Sequence, residues 1–149
     1  MLDEVYDYLY NYGFNALDLD NFEKRNQGIF YLEYNDVRRI IKFLEEKGLE
    51  PDEIINVIVS NPFLLTESTK KIEQLEEICG NIGFGYDDLK DMIIRNPKMY
   101  SASPDEIGRI VEYLKMQNTE DKEIRKIFFE NPKILNMKFD DFQKAMLGG

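Results

Sequence analysis

The chain has 149 residues, 43% hydrophobic and 32% charged. A globular chain of this size buries about 70% of its unfolded surface, and the composition is too apolar for a disordered one. It carries 19 basic and 29 acidic side chains (net charge −10), one cysteine and no histidine. Those counts exclude a disulfide framework, a thiolate metal cluster, Ser–His and Cys–His nucleophile systems and HExxH zinc sites, and leave carboxylate-only catalysis open in principle.

The N-terminal stretch MLDEVYDYLYNY is acidic and tyrosine-rich. It has neither the basic start of a secretory signal nor the Arg/Ser bias of a transit peptide. The apolar runs that follow are only a few residues long, too short for a membrane span. The expected location is therefore the cytoplasm. Further along, Asn61-Pro62, Asn96-Pro97 and Asn131-Pro132 recur at intervals of 35 residues. The same step relates Val37, Ile72, Ile107 and Phe142; Leu44, Cys79 and Leu114; Ile54, Leu89 and Ile124; Val57, Met92 and Ile127; and Leu65, Tyr100 and Leu135. Backwards, Val5 falls on Ile40, Leu9 on Leu44, Gly13-Phe14 on Gly48-Leu49, Leu19 on Ile54 and Phe22 on Val57. Asn26 stands at the Asn position, with Gln27 in place of the proline. The register gives a degenerate unit at 1–32, full units at 33–67, 68–102 and 103–137, and a truncated unit at 138–149, all within one helical-repeat domain.

Each unit reads as two helices and a short turn. In the unit at 103–137, Ser103 is an N-cap, Pro104 sits at the first helical position and Glu106 takes the capping-box position. Ile107, Ile110, Val111 and Leu114 follow at helical spacing. Asn118 stands where other units have Gly13, Gly48 or Gly83, a position suited to a left-handed helix-ending residue. A second helix carries Ile124, Ile127 and Phe128. Pro132 bars Asn131 from easy α geometry and has no N–H to donate, so the helix stops there. The apolar pair after the proline is expected to pack back as a 3₁₀ turn. No unit can bury its apolar face alone, so the predicted fold is all-α: an α-solenoid of about four 35-residue helix–helix–short-turn units.

The segments IINVIVSNPFLL, LKDMIIRNPKMY and IRKIFFENPKIL resemble the repeat of the mitochondrial transcription termination factor (mTERF) family. The register behind them covers essentially the whole chain. The resemblance implies an α-solenoid of three-helix units and, in many members, nucleic-acid binding along a concave face. The chain is short, with about four units, and begins without an organelle targeting segment, which points to a bacterial or phage-type setting; it is also strongly acidic, whereas nucleic-acid-binding members need a basic groove.

The charge is uneven. Residues 1–32 and 33–67 are each net −4, residues 68–102 and 103–137 each −1, and 138–149 neutral. A field of that sign repels phosphate backbones and attracts basic partners. The leading expectation is a non-enzymatic module that binds a basic protein through Asp3, Asp7, Tyr10, Tyr12, Glu45, Glu46 and Glu50. Both tyrosines are expected to be exposed, because they align with the polar Glu45 and Lys47. A phage-type, anti-CRISPR-like inhibitor that imitates nucleic acid is a concrete case of this module. The alternative is nucleic-acid binding through Lys90, Arg95, Lys98, Arg125, Lys126 and Lys133, unless those cations pair with Asp87, Asp91, Glu123 and Glu130 on their own helices. A structural adaptor is a third reading. No cofactor or metal is expected: Asp18-Leu19-Asp20 lacks the later ligands of a calcium loop, and GNIGFG lacks the lysine and hydroxyl of a phosphate loop. Cys79, aligned with leucines, reads as core.

Overall fold

A computed structural model describes residues 1–148, and every regular element among them is helical. The chain forms two compact units, one of Met1–Ser68 and one from Thr69 onward. In the first unit, helices α1 (Asp3–Tyr12) and α2 (Ala16–Arg25) lead to a 3₁₀ turn, η1 (Gln27–Tyr31). Helices α3 (Tyr34–Glu46) and α4 (Pro51–Ser60) then lead to η2 (Pro62–Thr66). The second unit repeats the plan with α5 (Thr69–Asn81), α6 (Tyr86–Arg95) and η3 (Met99–Ser101), then α7 (Pro104–Met116), α8 (Asp121–Glu130) and η4 (Pro132–Asn136). One more helix, α9 (Phe139–Leu147), packs on α7.

The 35-residue register is the register of burial. Val37, Ile72, Ile107 and Phe142 are all buried, as are Leu44, Cys79 and Leu114, and Ile54, Leu89 and Ile124. Each such large apolar side chain contributes about 1.5–3 kcal/mol on leaving water. Helices end where the sequence predicts: Gly13, Gly48, Gly83 and Asn118 all have positive φ, and Ser103 Oγ accepts the Glu106 N–H at 3.3 Å. The capping-box expectation for Glu106 needs correction. Its carboxylate accepts the N–H of Phe139 at 2.6 Å, so it caps the start of α9 in the next repeat.

Asn-Pro is also more than a stop. Asn26, Asn61, Asn96 and Asn131 all hold an extended φ between −140° and −130°, although Asn26 has no proline after it. In the first unit, Asn26 Nδ2 donates to the carbonyl of Pro62 (3.3 Å) and to Thr66 Oγ1 (2.9 Å). In the second, Asn96 Nδ2 donates to the carbonyl of Pro132 (3.1 Å) and to Asn136 Oδ1 (2.8 Å), while Asn136 Nδ2 returns to the Lys98 carbonyl (2.8 Å). The asparagine of one repeat thus satisfies carbonyls in the turn of the next, groups that are costly to leave unpaired when buried. Two further joints recur at the same 70-residue offset. Gly13 and Gly83 leave room for residues 55 and 125, an isoleucine and an arginine. Arg25 donates to the carbonyls of Val59 and Ser60 (3.1 and 3.3 Å), and Arg95 lies over the ring of Phe129 at 4.4 Å.

Candidate binding surfaces

On the first-helix layer of the first unit, Asp3, Asp7, Tyr10, Glu45 and Glu46 are exposed. Asp3 and Asp7 occupy the register positions of Arg38 and Lys42 on α3, so carboxylates and cations alternate across this layer. Glu45 and Glu46 lie in the last turn of α3, where the negative end of the helix dipole disfavours them. Tyr10 is 55% exposed and stacks on Tyr6, with ring centroids 6.2 Å apart. Tyr12 differs from the sequence expectation. It is half-buried between Tyr8 and Phe14, its hydroxyl enclosed without a hydrogen-bond partner. Desolvation, reinforced by the Glu45 charge, pushes its phenol up to about 12.

Glu50 is exposed and precedes α4 as its N-cap residue; its N–H donates to Glu53 Oε1 at 2.8 Å. The Gly85 N–H donates likewise to Asp88 Oδ2 at 2.8 Å. Asp18, Glu53, Asp88 and Glu123 share one register position. Acid there serves the start of every second helix, where the dipole favours it. Beyond those residues the second-helix layers of the two units part. In the first unit, α2 and α4 hold five carboxylates against two cations, Lys24 and Arg25, and Arg25 is bonded to the end of α4. In the second, α6 and α8 hold six against five.

The six cations assigned by sequence to nucleic-acid contact all lie in the second unit. Arg125 is half-buried, its guanidinium 2.6 Å from the Ile82 carbonyl and packed over Gly83, so it serves as a joint. Arg95 is held over Phe129, and Lys90 is half-buried. Lys98, Lys126 and Lys133 are exposed. Lys98 and Lys133 share a register position, Lys98 as the residue that precedes η3 and Lys133 within the adjoining η4. Arg125 and Lys126 also line an open groove of about 570 Å³ with Lys122, Phe84 and Phe129, alongside Asp88, Glu123 and Glu130. The lining thus holds as many carboxylates as cations.

Sequence reasoning missed the aromatic turns of the first unit. Phe30 and Phe63 are each 46% exposed and Tyr31 87%. The register puts Phe30 with Leu65, Tyr100 and Leu135, all buried. The readable signal was Gln27, which breaks the Asn-Pro pattern where the turn changes its packing. Two buried groups in the second unit are structural. The Cys79 thiol is pushed up to about 12 by desolvation and then by Glu76. The buried Tyr100 hydroxyl donates to Glu76 Oε2 at 3.1 Å, and burial raises its phenol further still.

Among the described residues no group of three or more His, Cys, Asp or Glu side chains could hold a metal ion, and no helix is long and apolar enough to cross a membrane. No curated protein matches the chain. The sequence profile of the mTERF family matches residues 1–114. With its Asn-anchored turns and its 35-residue register of helix pairs, the chain belongs to the mTERF family.

Proposed function

We propose that the protein is a non-enzymatic binding scaffold whose first unit docks the cationic surface of another protein. One observation carries this reading. The two units are built on the same joints, yet Asp52, Asn56 and Phe63 of the first stand where the second has Lys122, Lys126 and Lys133. Joints hold a fold, so side chains that change while the joints do not are free to follow a ligand. The first unit carries 14 acidic against 6 basic side chains, the second 15 against 13. Carboxylates fixed on packed helices can stand where phosphates would, so an enzyme that handles nucleic acid is a concrete partner and its inhibition a concrete outcome. Electrostatic steering would speed capture and make it salt-sensitive.

The test is a pair of titrations of the full chain at low salt, one with a labelled cationic peptide and one with labelled duplex DNA and single-stranded RNA. The peptide is expected to bind and the nucleic acids not to. Asp20→Lys with Asp52→Lys is expected to weaken peptide binding by at least tenfold, at about 1 kcal/mol for each desolvated charge contact. Peptide binding unchanged by the two reversals would reject the proposal. A second reading, nucleic-acid binding by the second unit, draws on family membership and on Lys98 and Lys133 standing at adjoining turns. It predicts salt-sensitive RNA or DNA binding that is lost in Lys98→Glu/Lys133→Glu.

A further inference from the structure

We infer that the turn edge of the first unit, formed by Phe30, Tyr31 and Phe63 beside Asp20 and Glu23, receives arginine side chains of the cationic partner. The inference rests on the reading of this unit as the cation-binding half and names its contact surface.

The edge exists because repeat one departs from the others locally. With glutamine at position 27, the Asn26 side chain folds over its own turn and accepts the Gly28 N–H at 3.1 Å. Turn η1 then packs chiefly on α2, whereas η2 packs on both α3 and α4. Phe30, at a position buried in the other three repeats, is left facing a hollow of about 370 Å³. Asp20, Glu23, Lys24 and Gln27 line it. Glu23 is also 2.9 Å from the Met1 amine, which leaves Asp20 as the more available carboxylate. Next to this hollow, Thr66 of η2 stands 3.3 Å from where a Gly28 side chain would begin, so the two turns touch. Phe63 projects from the second of them. Tyr31, the most exposed aromatic of the three, occupies a position held by Thr66, Ser101 and Asn136 elsewhere.

Exposed rings flanked by carboxylates suit one chemistry better than others. A purely apolar partner segment would leave Asp20 desolvated and unpaired, which is costly. A lysine ammonium could pair with them but stacks poorly. A guanidinium stacks flat on a ring while its edge donates to a carboxylate, so it uses both features at once. The second unit shows the contrast at the same register: Lys98 and Lys133 replace Phe63 and would repel such a segment.

The test uses the full chain and two fluorescein-labelled peptides, octa-arginine and octa-lysine, followed by anisotropy at about 150 mM salt, where screening limits purely long-range attraction. Octa-arginine is expected to bind about fivefold more tightly than octa-lysine, and Tyr31→Ala/Phe63→Ala to weaken octa-arginine by about tenfold and abolish the preference, at the two- to fivefold that one exposed cation–π contact supplies. Both residues are exposed, and circular dichroism would verify that the double variant stays folded. If wild type binds both peptides equally, or the variant binds octa-arginine as wild type does, the turn edge is not the site while the reading of the first unit stands. If wild type binds neither peptide, both fall together.

Discussion

The two units of this molecule share a skeleton and differ in skin. The first joins its repeats through Gly13 to Ile55, Arg25 to the end of α4, and Asn26 to η2. The second uses the residues 70 positions on: Gly83 to Arg125, Arg95 to Phe129, and Asn96 to η4. Their surfaces diverge by a net charge of −8 against −2 and by aromatic against lysine-bearing turns. The comparison separates two kinds of residue in a repeat protein. Those fixed at a constant offset hold neighbours together, and those that drift at equivalent positions set the ligand.

The first way to break the comparison is to cut a joint. Asn26→Ala and Asn96→Ala each leave turn carbonyls without their donor, and each should destabilise the chain by about 1–3 kcal/mol, measured by urea unfolding followed by circular dichroism. Gly13→Ala and Gly83→Ala should cost a similar amount, because φ is +135° and +98° there and residue 55 or 125 fills the space. Equal losses in the two units support shared joints; a silent substitution in either unit would show that its joint carries no weight. Asn131 bonds back to the Ile127 carbonyl at 3.4 Å, and Asn131→Ala should cost about half as much, one weak hydrogen bond being lost without a buried orphan.

A smaller effect sharpens the contrast inside the core. Tyr100 and Glu76 of the second unit hold the register positions of Leu65 and Ile41 in the first. Tyr100→Phe should cost about 1 kcal/mol by removing the hydrogen bond to Glu76. Tyr100→Leu combined with Glu76→Ile imports the apolar pair of the first unit and should recover wild-type stability or exceed it. A double variant less stable than Tyr100→Phe would contradict the equivalence of the two cores.

Cys79 reports on the second unit alone. Its folded thiol titrates near 12 instead of 9, so the neutral form is favoured by folding. That contribution is complete below pH 9, where the unfolded thiol is also protonated, and is lost as pH rises from there toward 12. At pH 8 the thiol should resist iodoacetamide in water and react only as urea opens the second unit. Fast labelling of the native chain would contradict its burial. The smallest expected change belongs to Glu45→Lys/Glu46→Lys. Relieving the helix-end repulsion should raise stability by about 0.3–1 kcal/mol, while affinity for a cationic peptide falls only about two- to threefold, since Arg38 and Lys42 already divide this layer.

Much of the fold can be read from the sequence because a repeat supplies its own alignment. Buried positions recur as Val37, Ile72, Ile107 and Phe142, and the chain stops its helices with glycine and Asn-Pro at fixed phase. The joints are harder to read. Asn26 keeps its identity without a following proline, a hint that the amide matters beyond ending a helix, but its partners lie 36 and 40 residues away and depend on how the turns meet. The surfaces are harder still. Arg125 looks like a free cation on α8, yet its guanidinium is committed to the Ile82 carbonyl. Tyr12 aligns with a polar residue but is half-buried between Tyr8 and Phe14 within its own repeat. Phe30 aligns with core residues but faces outward, because Gln27 redirects its turn. Tyr12 and Phe30 both belong to the degenerate repeat at 1–32, which departs most from the pattern of the full units.

The central claim is that the ligand is cationic and that the first unit holds it. The most direct measurement is a ¹H–¹⁵N correlation spectrum of the full chain titrated with octa-arginine and, separately, with a short RNA. The account predicts that the peptide shifts amides of α2, η1, α4 and η2, from Ala16 to Thr66, while the RNA leaves the spectrum unchanged. Peptide shifts confined to the residues from Thr69 onward, or RNA shifts centred on Lys98, Lys126 and Lys133, would contradict it.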